Sequence, residues 1–140
     1  MAQQGPAQPA QPAQPQMPTL LGTDAQDKQR AADLLHALEQ ARGNRAVVYW
    51  MTPMARISEG VVLSLYDQLR AIGKQPRFDL VLNTVGGAVE APWPIVNLIR
   101  EFCDKFAVLL PHRAHSAGTL LCLGADEIVM TPLSILGPID

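Results

Sequence analysis

Two near-continuous apolar runs constrain the fold of this chain more than any other feature: FDLVLNTV at residues 78–85 and FAVLLPH at residues 106–112. Runs of this kind are typical of β-strands that are covered on both faces, whereas a strand with one wet face alternates apolar and polar residues. A segment with helical spacing follows each run. The sequence therefore predicts an α/β fold in which helices flank a largely parallel sheet.

The other segments continue this alternation of helix and strand. Thr23 and Gln26 have capping-box spacing at the start of the first helix, and Ser58 is the predicted cap of the second. Pro92 and Pro94 must lie in the first turn of the third helix, because a proline further along would kink it. The predicted order is helix 23–43, strand 45–51, helix 58–73, strand 78–85, helix 88–103, strand 106–112, helix 116–125 and strand 126–132.

The first 22 residues differ in composition from the rest of the chain. They repeat Ala, Gln and Pro without a periodic apolar face, which predicts a disordered tail at 1–22 and a single domain at 23–140. The tail lacks the basic start and apolar core of a signal peptide, and no later run reaches the ~18 apolar residues of a membrane span. We therefore expect a soluble, cytoplasmic protein.

Charge and cysteine content exclude two further classes of function. The net charge is −2 and there is no basic block, so the sequence predicts no nucleic-acid partner. Cys103 and Cys122 have no metal-ligand spacing and lie in apolar surroundings, which favours buried, reduced thiols and no metal site. The chain ends on SILGPID, a turn-like Gly-Pro pair rather than a docked helix or strand, and we expect a domain truncated at its C-terminus.

Two unusual turns follow the two apolar strands. Gly86 and Gly87 end the first, and Ser116 stands where the second gives way to a helix. In an open parallel sheet, ligand sites lie beyond the carboxyl ends of the strands. Glycine allows positive φ and a close approach of a ligand to backbone N–H groups, as an oxyanion hole requires. The alternative is a simple turn between a strand and a helix.

Ser116 has two interpretations. Serine is a preferred helix cap, but a serine at the turn between a strand and a helix also exposes its hydroxyl beside backbone donors such as the N–H of Ala117. A nucleophilic serine needs a base within hydrogen-bond reach. His112 and His115 are the candidates nearest in sequence. Asp126 and Asp140 are candidate orienting carboxylates, and the sequence alone does not choose among these four residues.

These motifs together resemble the ClpP/crotonase superfamily of serine peptidases, and within it the serine dehydrogenase proteinase group, relatives of signal peptide peptidase A and of the Clp proteolytic subunit. The resemblance covers residues 24–140 and is strongest from residue 78. It rests on the strand that ends in Gly-Gly, on PHRAHSAGTL, on the Ala-Asp-Glu-Ile run and on LGPID.

The resemblance implies stacked ββα units and an ATP-independent peptidase without a cofactor, acting on peptides or unfolded proteins. It implies Ser116 as the nucleophile and N–H groups of Gly86, Gly87 and Ala117 as the oxyanion hole. It also implies assembly into homo-oligomers. Membrane association occurs in the group, although the tail of this chain is not a membrane segment.

The base is where this sequence departs from the family. Related groups supply a histidine with an aspartate, or a lysine, from later in the chain, and the closest group has the order Ser-Asp-His. No histidine or lysine follows Asp126 here, so the base is expected beyond residue 140 or absent. Three alternatives stay open: a catalytically incomplete relative that binds peptides or a partner, a crotonase-type acyl-CoA enzyme, and an unrelated α/β domain.

Overall fold

A computed structural model describes residues 25–139 of the chain. The tail predicted for residues 1–22, the capping residue Thr23 and the candidate carboxylate Asp140 lie outside the described residues. The contacts divide the chain between Asp33 and Leu34, within the first helix, and the sheet and the candidate site belong to the second unit. In the first unit, Gln29 donates a hydrogen bond to Asp33 one turn further on (2.8 Å).

The order of elements follows the predicted alternation. The helices are α1 (Ala25–Arg42), α2 (Val61–Ile72), α3 (Pro92–Phe102) and α4 (Ala117–Leu123). The strands are β1 (Arg45–Trp50), β2 (Gln75–Asn83), β3 (Cys103–Leu110), β4 (Arg113–Ala114), β5 (Glu127–Met130) and β6 (Ile135–Leu136).

The main sheet has the strand order β1-β2-β3-β5, and every neighbouring pair is parallel. The α/β fold with a largely parallel sheet flanked by helices is therefore confirmed. β4 and β6 form a second, two-stranded parallel sheet, and a bridge between Thr84 and Ala114 joins β4 to the residue that follows β2. These two-residue strands were not predicted, because two residues show no periodicity.

One hydrophobic core joins the sheet to α2, α3 and α4. The largest fully buried side chains come from all of these elements, and the cysteines are buried and unpaired, as predicted. Burial raises the pKa of Cys103 to about 11 and that of Cys122 to about 12, which keeps both thiols protonated. The fully buried large side chains include Phe78, Leu80, Leu82, Ile95, Ile99, Phe106, Val108 and Leu121.

Two details of the helix starts can be compared with the sequence. Pro92 begins α3, so both prolines fall in its first turn as predicted. The predicted cap at Ser58 is wrong: α2 begins at Val61, its cap position is Gly60, and no side chain caps it. The Ser58 carbonyl instead accepts the N–H of Val61 (3.3 Å) within a turn that precedes the helix.

Candidate active site

Ser116 stands in a strained backbone conformation at the start of α4. Its φ is +50° and its ψ is −119°, and it is the only residue other than glycine with a positive φ in the range 25–139. L-residues adopt such values at a cost, and they persist where the surrounding structure enforces them. Although Ser116 occupies the cap position, its hydroxyl caps no N–H of α4. Helix capping therefore does not account for this serine.

Backbone hydrogen bonds hold Ser116 on both sides. Its N–H donates to the carbonyl of Pro138 (3.0 Å), and its own carbonyl accepts the N–H groups of Thr119 (2.9 Å) and Leu120 (3.2 Å). The side-chain hydroxyl has no hydrogen-bond partner among residues 25–139. The serine is thus fixed through its backbone, while its hydroxyl is not committed to a described neighbour.

The diglycine turn contacts the serine turn directly. Gly86 has a φ of +100°, and a β-carbon added there would lie 3.0 Å from Cβ of Ser116 and 2.7 Å from the carbonyl oxygen of His115. A β-carbon on Gly87 would lie 2.2 Å from the carbonyl oxygen of Ile57. Both positions therefore require glycine. The two motifs, about 30 residues apart in sequence, meet at the edge of the sheet where β2 and β3 end, here called the carboxyl edge.

The three predicted oxyanion donors differ in whether their N–H groups are free. The N–H of Gly86 donates to Oγ1 of Thr84 (3.0 Å), so a protein atom already occupies it. In the described part of the chain, the N–H groups of Gly87 and Ala117 have no acceptor. Of the three predicted N–H groups, those of Gly87 and Ala117 are therefore the two that can donate to an oxyanion in this structure.

Neither predicted histidine hydrogen-bonds the Ser116 hydroxyl. His112 is exposed, and its carbonyl accepts the N–H of Ile135 (2.7 Å). The His115 ring lies against Gly137, where an added β-carbon would be 2.6 Å from Cδ2, and its Nε2 is buried without a partner among residues 25–139. The structure therefore places His115 beside the site but does not pair either histidine with the serine.

Asp126 lies at the opposite edge of the sheet, where β1 and β5 begin, here called the amino edge. Its carboxylate accepts the N–H of Phe106 (2.9 Å) and contacts Arg100 (3.4 Å). The hydrogen bond from Phe106 and the positive charge of Arg100 hold the pKa of Asp126 below its ordinary value. Several residues of β3 separate Phe106 from the carboxyl edge, so the structure does not bring Asp126 to Ser116.

A segment near the end of the described chain braces the serine turn. The N–H of Gly137 donates to the carbonyl of Ala114 (2.8 Å), and the Thr119 hydroxyl lies between the carbonyls of Gly137 (2.7 Å) and Ala114 (3.1 Å). From the sequence, SILGPID predicts a turn-like end of a truncated domain, and LGPID is part of the family resemblance. Its bracing role had no local sequence signal, because the contacts join residues far apart in the chain.

An open apolar groove of about 360 Å³ is lined mainly by residues of α3 and α4. Two of its lining residues follow the two turns closely in sequence: Val89 comes two residues after Gly87, and Leu120 comes four residues after Ser116. Trp93 on its wall is 74% exposed. The lining residues are Val89, Pro92, Trp93, Val96, Leu120, Leu123 and Gly124. A groove of this size and apolar character can accommodate an apolar side chain.

The range 25–139 contains no group of three or more His, Cys, Asp or Glu side chains that could hold a metal ion. None of its helices combines the length and the apolar character needed to cross a membrane.

Sequence comparisons agree with the geometry of the two turns. A sequence model of the family described as ClpP-like SDH-type serine proteinase matches residues 62–140, a range that includes both glycines and Ser116. The chain therefore belongs to the ClpP-like SDH-type serine proteinase family.

Two curated relatives come from Methanocaldococcus jannaschii, and the names of both describe them as uncharacterized. The protein MJ0137 is 39% identical over 72 residues, which cover 51% of this chain and 25% of the relative. The protein MJ1495 is 31% identical over 116 residues, which cover 76% of this chain and 40% of the relative. The chain thus matches less than half of the length of either relative.

Proposed function

We propose that this protein is a serine endopeptidase that cleaves peptides or unfolded proteins, with Ser116 as the nucleophile. The observation that carries the proposal is the contact between the strained Ser116 turn and the Gly86–Gly87 turn. That contact places an uncommitted hydroxyl beside backbone N–H groups that lack acceptors among the described residues. Family membership supports the same class of reaction.

The proposed chemistry is acyl transfer. Oγ of Ser116 attacks the carbonyl carbon of the scissile bond, a C–O bond forms, and the carbonyl electron pair moves onto the oxygen. The N–H groups of Gly87 and Ala117 donate to this oxyanion, and such donors act most strongly where charge develops in the transition state. The C–N bond then breaks, the amine leaves with a proton, and water hydrolyses the acyl-enzyme.

The hydroxyl proton must pass to a general base during the attack. No residue in the range 25–139 hydrogen-bonds the Ser116 hydroxyl, so the nucleophile and the oxyanion donors are the parts that we assign to this chain. The apolar groove supports a substrate with an apolar side chain near the scissile bond. Assembly into homo-oligomers, which the family resemblance implies, is also part of the proposal.

A fluorophosphonate probe tests the nucleophile directly, because it labels only serines that are activated for acyl transfer. We expect the wild-type chain to be labelled and Ser116→Ala to be unlabelled, with labelling followed by mass spectrometry of the modified peptide. Ser64→Ala is the matched control, since Ser64 is an exposed serine on α2 and far in sequence from both turns.

Labelling of Ser116→Ala at the wild-type rate would contradict the assignment of the nucleophile. No labelling of the folded wild-type chain, nor of a longer product of the same gene that extends beyond residue 140, would count against a peptidase. Peptide binding without labelling would then favour the alternative of a catalytically incomplete relative that binds peptides in the same groove.

A further inference from the structure

Thr84 occupies the point where the chain leaves the main sheet for the diglycine turn. It follows the last residue of β2 and is 1% exposed. Its N–H donates to the carbonyl of Arg113 (3.0 Å), and the bridge between Thr84 and Ala114 joins this residue to β4. The backbone of Thr84 is therefore tied to the segment that leads into Ser116.

The hydroxyl of Thr84 fixes the first half of the diglycine turn. Oγ1 accepts the N–H of Gly86 (3.0 Å) and lies 3.2 Å from Sδ of Met51, toward which it donates. A hydroxyl has one donor and two lone pairs, so both contacts are made at once. The bond occupies the N–H of Gly86 within the protein and leaves the next N–H, that of Gly87, as the donor without an acceptor among residues 25–139.

The methyl group of the same side chain contacts the start of α4. A β-carbon added at Gly118 would lie 2.4 Å from Cγ2 of Thr84, so this methyl group fills the space beside the second residue of the helix. One side chain therefore contacts both halves of the candidate oxyanion hole: the turn that carries Gly87 and the helix start that carries Ala117.

We propose that Thr84 is a positioning residue that sets the spacing between the N–H groups of Gly87 and Ala117; this inference rests on the proposed function. Oxyanion donors are effective when they are held in place before the charge develops. Thr84 touches neither substrate nor nucleophile in this role. It acts through the turn of Gly86 and the packing at Gly118.

The test compares two substitutions that separate the hydroxyl from the methyl group. Thr84→Val keeps a methyl group beside Gly118 and removes the hydroxyl, whereas Thr84→Ser keeps the hydroxyl and removes Cγ2. The second-order rate of fluorophosphonate labelling at Ser116 measures the site, and amide hydrogen exchange at Gly86, followed by NMR, measures the hydrogen bond without any requirement for activity. Ile99→Val, a buried change on α3, controls for a general loss of stability.

We expect Thr84→Val to be labelled roughly 10- to 100-fold more slowly, because small displacements of catalytic groups cost about this much. Exchange at Gly86 should become faster in the same variant. Thr84→Ser should retain labelling within about threefold of wild type, and Ile99→Val should be labelled at the wild-type rate.

Two results would overturn the role of Thr84: wild-type labelling of Thr84→Val, or equal slowing in Ile99→Val, which would mean that lost stability alone slows the reaction. Unchanged exchange at Gly86 in Thr84→Val would also overturn it, whether or not the chain is active. Absence of labelling in both the folded wild-type chain and a longer product of the same gene is a different result, since it counts against the proposed function itself.

Discussion

The two edges of the sheet differ in whether their polar groups have hydrogen-bond partners. At the amino edge, the buried carboxylate of Asp79 accepts hydrogen bonds from Arg42 (3.0 and 3.2 Å) and Asn44 (3.3 Å), and Asp126 is bonded to Phe106 and Arg100. Polar groups that are paired in this way are what a stable fold requires, because a buried unpaired group costs free energy.

The carboxyl edge carries the exceptions to this rule. Three buried side-chain atoms have no partner among residues 25–139, and all belong to residues at or near this edge: Asn83 Oδ1, Arg113 Nε and His115 Nε2. The strained Ser116 lies there as well, as do the N–H groups of Gly87 and Ala117, which have no acceptor in the described range. Strain and unpaired polar groups tend to collect at functional sites, so the contrast supports the site that we propose at the carboxyl edge.

The largest expected effect comes from deleting one free N–H at the carboxyl edge. Replacing Ala117 with lactic acid turns its amide into an ester, which removes this donor and also weakens the Ser116 carbonyl as an acceptor for Thr119 and Leu120. Loss of one oxyanion donor typically costs about 3–4 kcal/mol of transition-state stabilisation, so labelling at Ser116 should slow by roughly 10²- to 10³-fold. The rate of fluorophosphonate labelling measures the effect.

The matched control is the same replacement at Ala88, whose N–H already donates to the carbonyl of Ile57 (2.9 Å). This ester should lower the free energy of unfolding by about 1 kcal/mol and leave the labelling rate within a few-fold of wild type. If labelling slowed equally in the Ala117 and Ala88 esters, the effect could not be assigned to the loss of an unpaired N–H donor.

A smaller effect is expected on stability when a glycine at each edge of the sheet is replaced with alanine. Gly87→Ala would place a β-carbon 2.2 Å from the backbone of Ile57, and we expect a loss of about 3 kcal/mol because buried backbone cannot move aside easily. Gly43, just before β1, has a φ of +69° but nothing within 4 Å of an added β-carbon. Gly43→Ala should therefore cost only about 1 kcal/mol of backbone strain. Urea unfolding followed by circular dichroism compares the two, and equal losses would contradict the close approach of Gly87 to Ile57.

The smallest expected effect is at the amino edge. Asp126→Asn keeps an acceptor for Phe106 but loses the charge that faces Arg100, and the carboxylate is about one-third exposed. We expect a loss of about 0.5–1 kcal/mol at neutral pH and no change in labelling at Ser116.

The pH dependence of this loss follows from the lowered pKa of Asp126. A carboxyl group whose folded-state pKa is below its unfolded-state value stabilises the fold above both values, and this contribution disappears as the pH falls through the folded-state pKa. The difference between wild type and Asp126→Asn should therefore shrink in acid. Thermal unfolding over a range of pH measures this difference, and a constant difference for Asp126→Asn would exclude the charge as its cause.

The sequence predicted the main sheet because its strands are long apolar runs, and it predicted the start of α3 because prolines tolerate few helix positions. It missed β4 and β6, whose formation depends on partners elsewhere in the chain. The position of Asp126 could have been predicted, because a residue that precedes a strand of a parallel sheet lies at the edge away from ligand sites.

Parts of the site could not be read from the sequence. The contact between Gly86 and Ser116 is a property of the folded chain, and so is the hydrogen bond that occupies the N–H of Gly86. Thr84 carried no signal, since a threonine at the end of a strand is ordinary. Only its neighbours in space, the glycines at 86 and 118, give its hydroxyl and methyl group separate roles.

The hydrogen bond from the N–H of Ser116 to the carbonyl of Pro138 affects how the protein folds during its synthesis on the ribosome. The two residues are about 20 positions apart, and at typical rates of synthesis the second is added about 1–4 seconds after the first. Until then the serine turn lacks the carbonyl that holds its backbone, and Gly137 cannot yet brace Ala114. The proposed nucleophile is thus among the last parts of the described chain to gain its backbone contacts, so a nascent chain would carry an incomplete serine turn while the earlier strands pair.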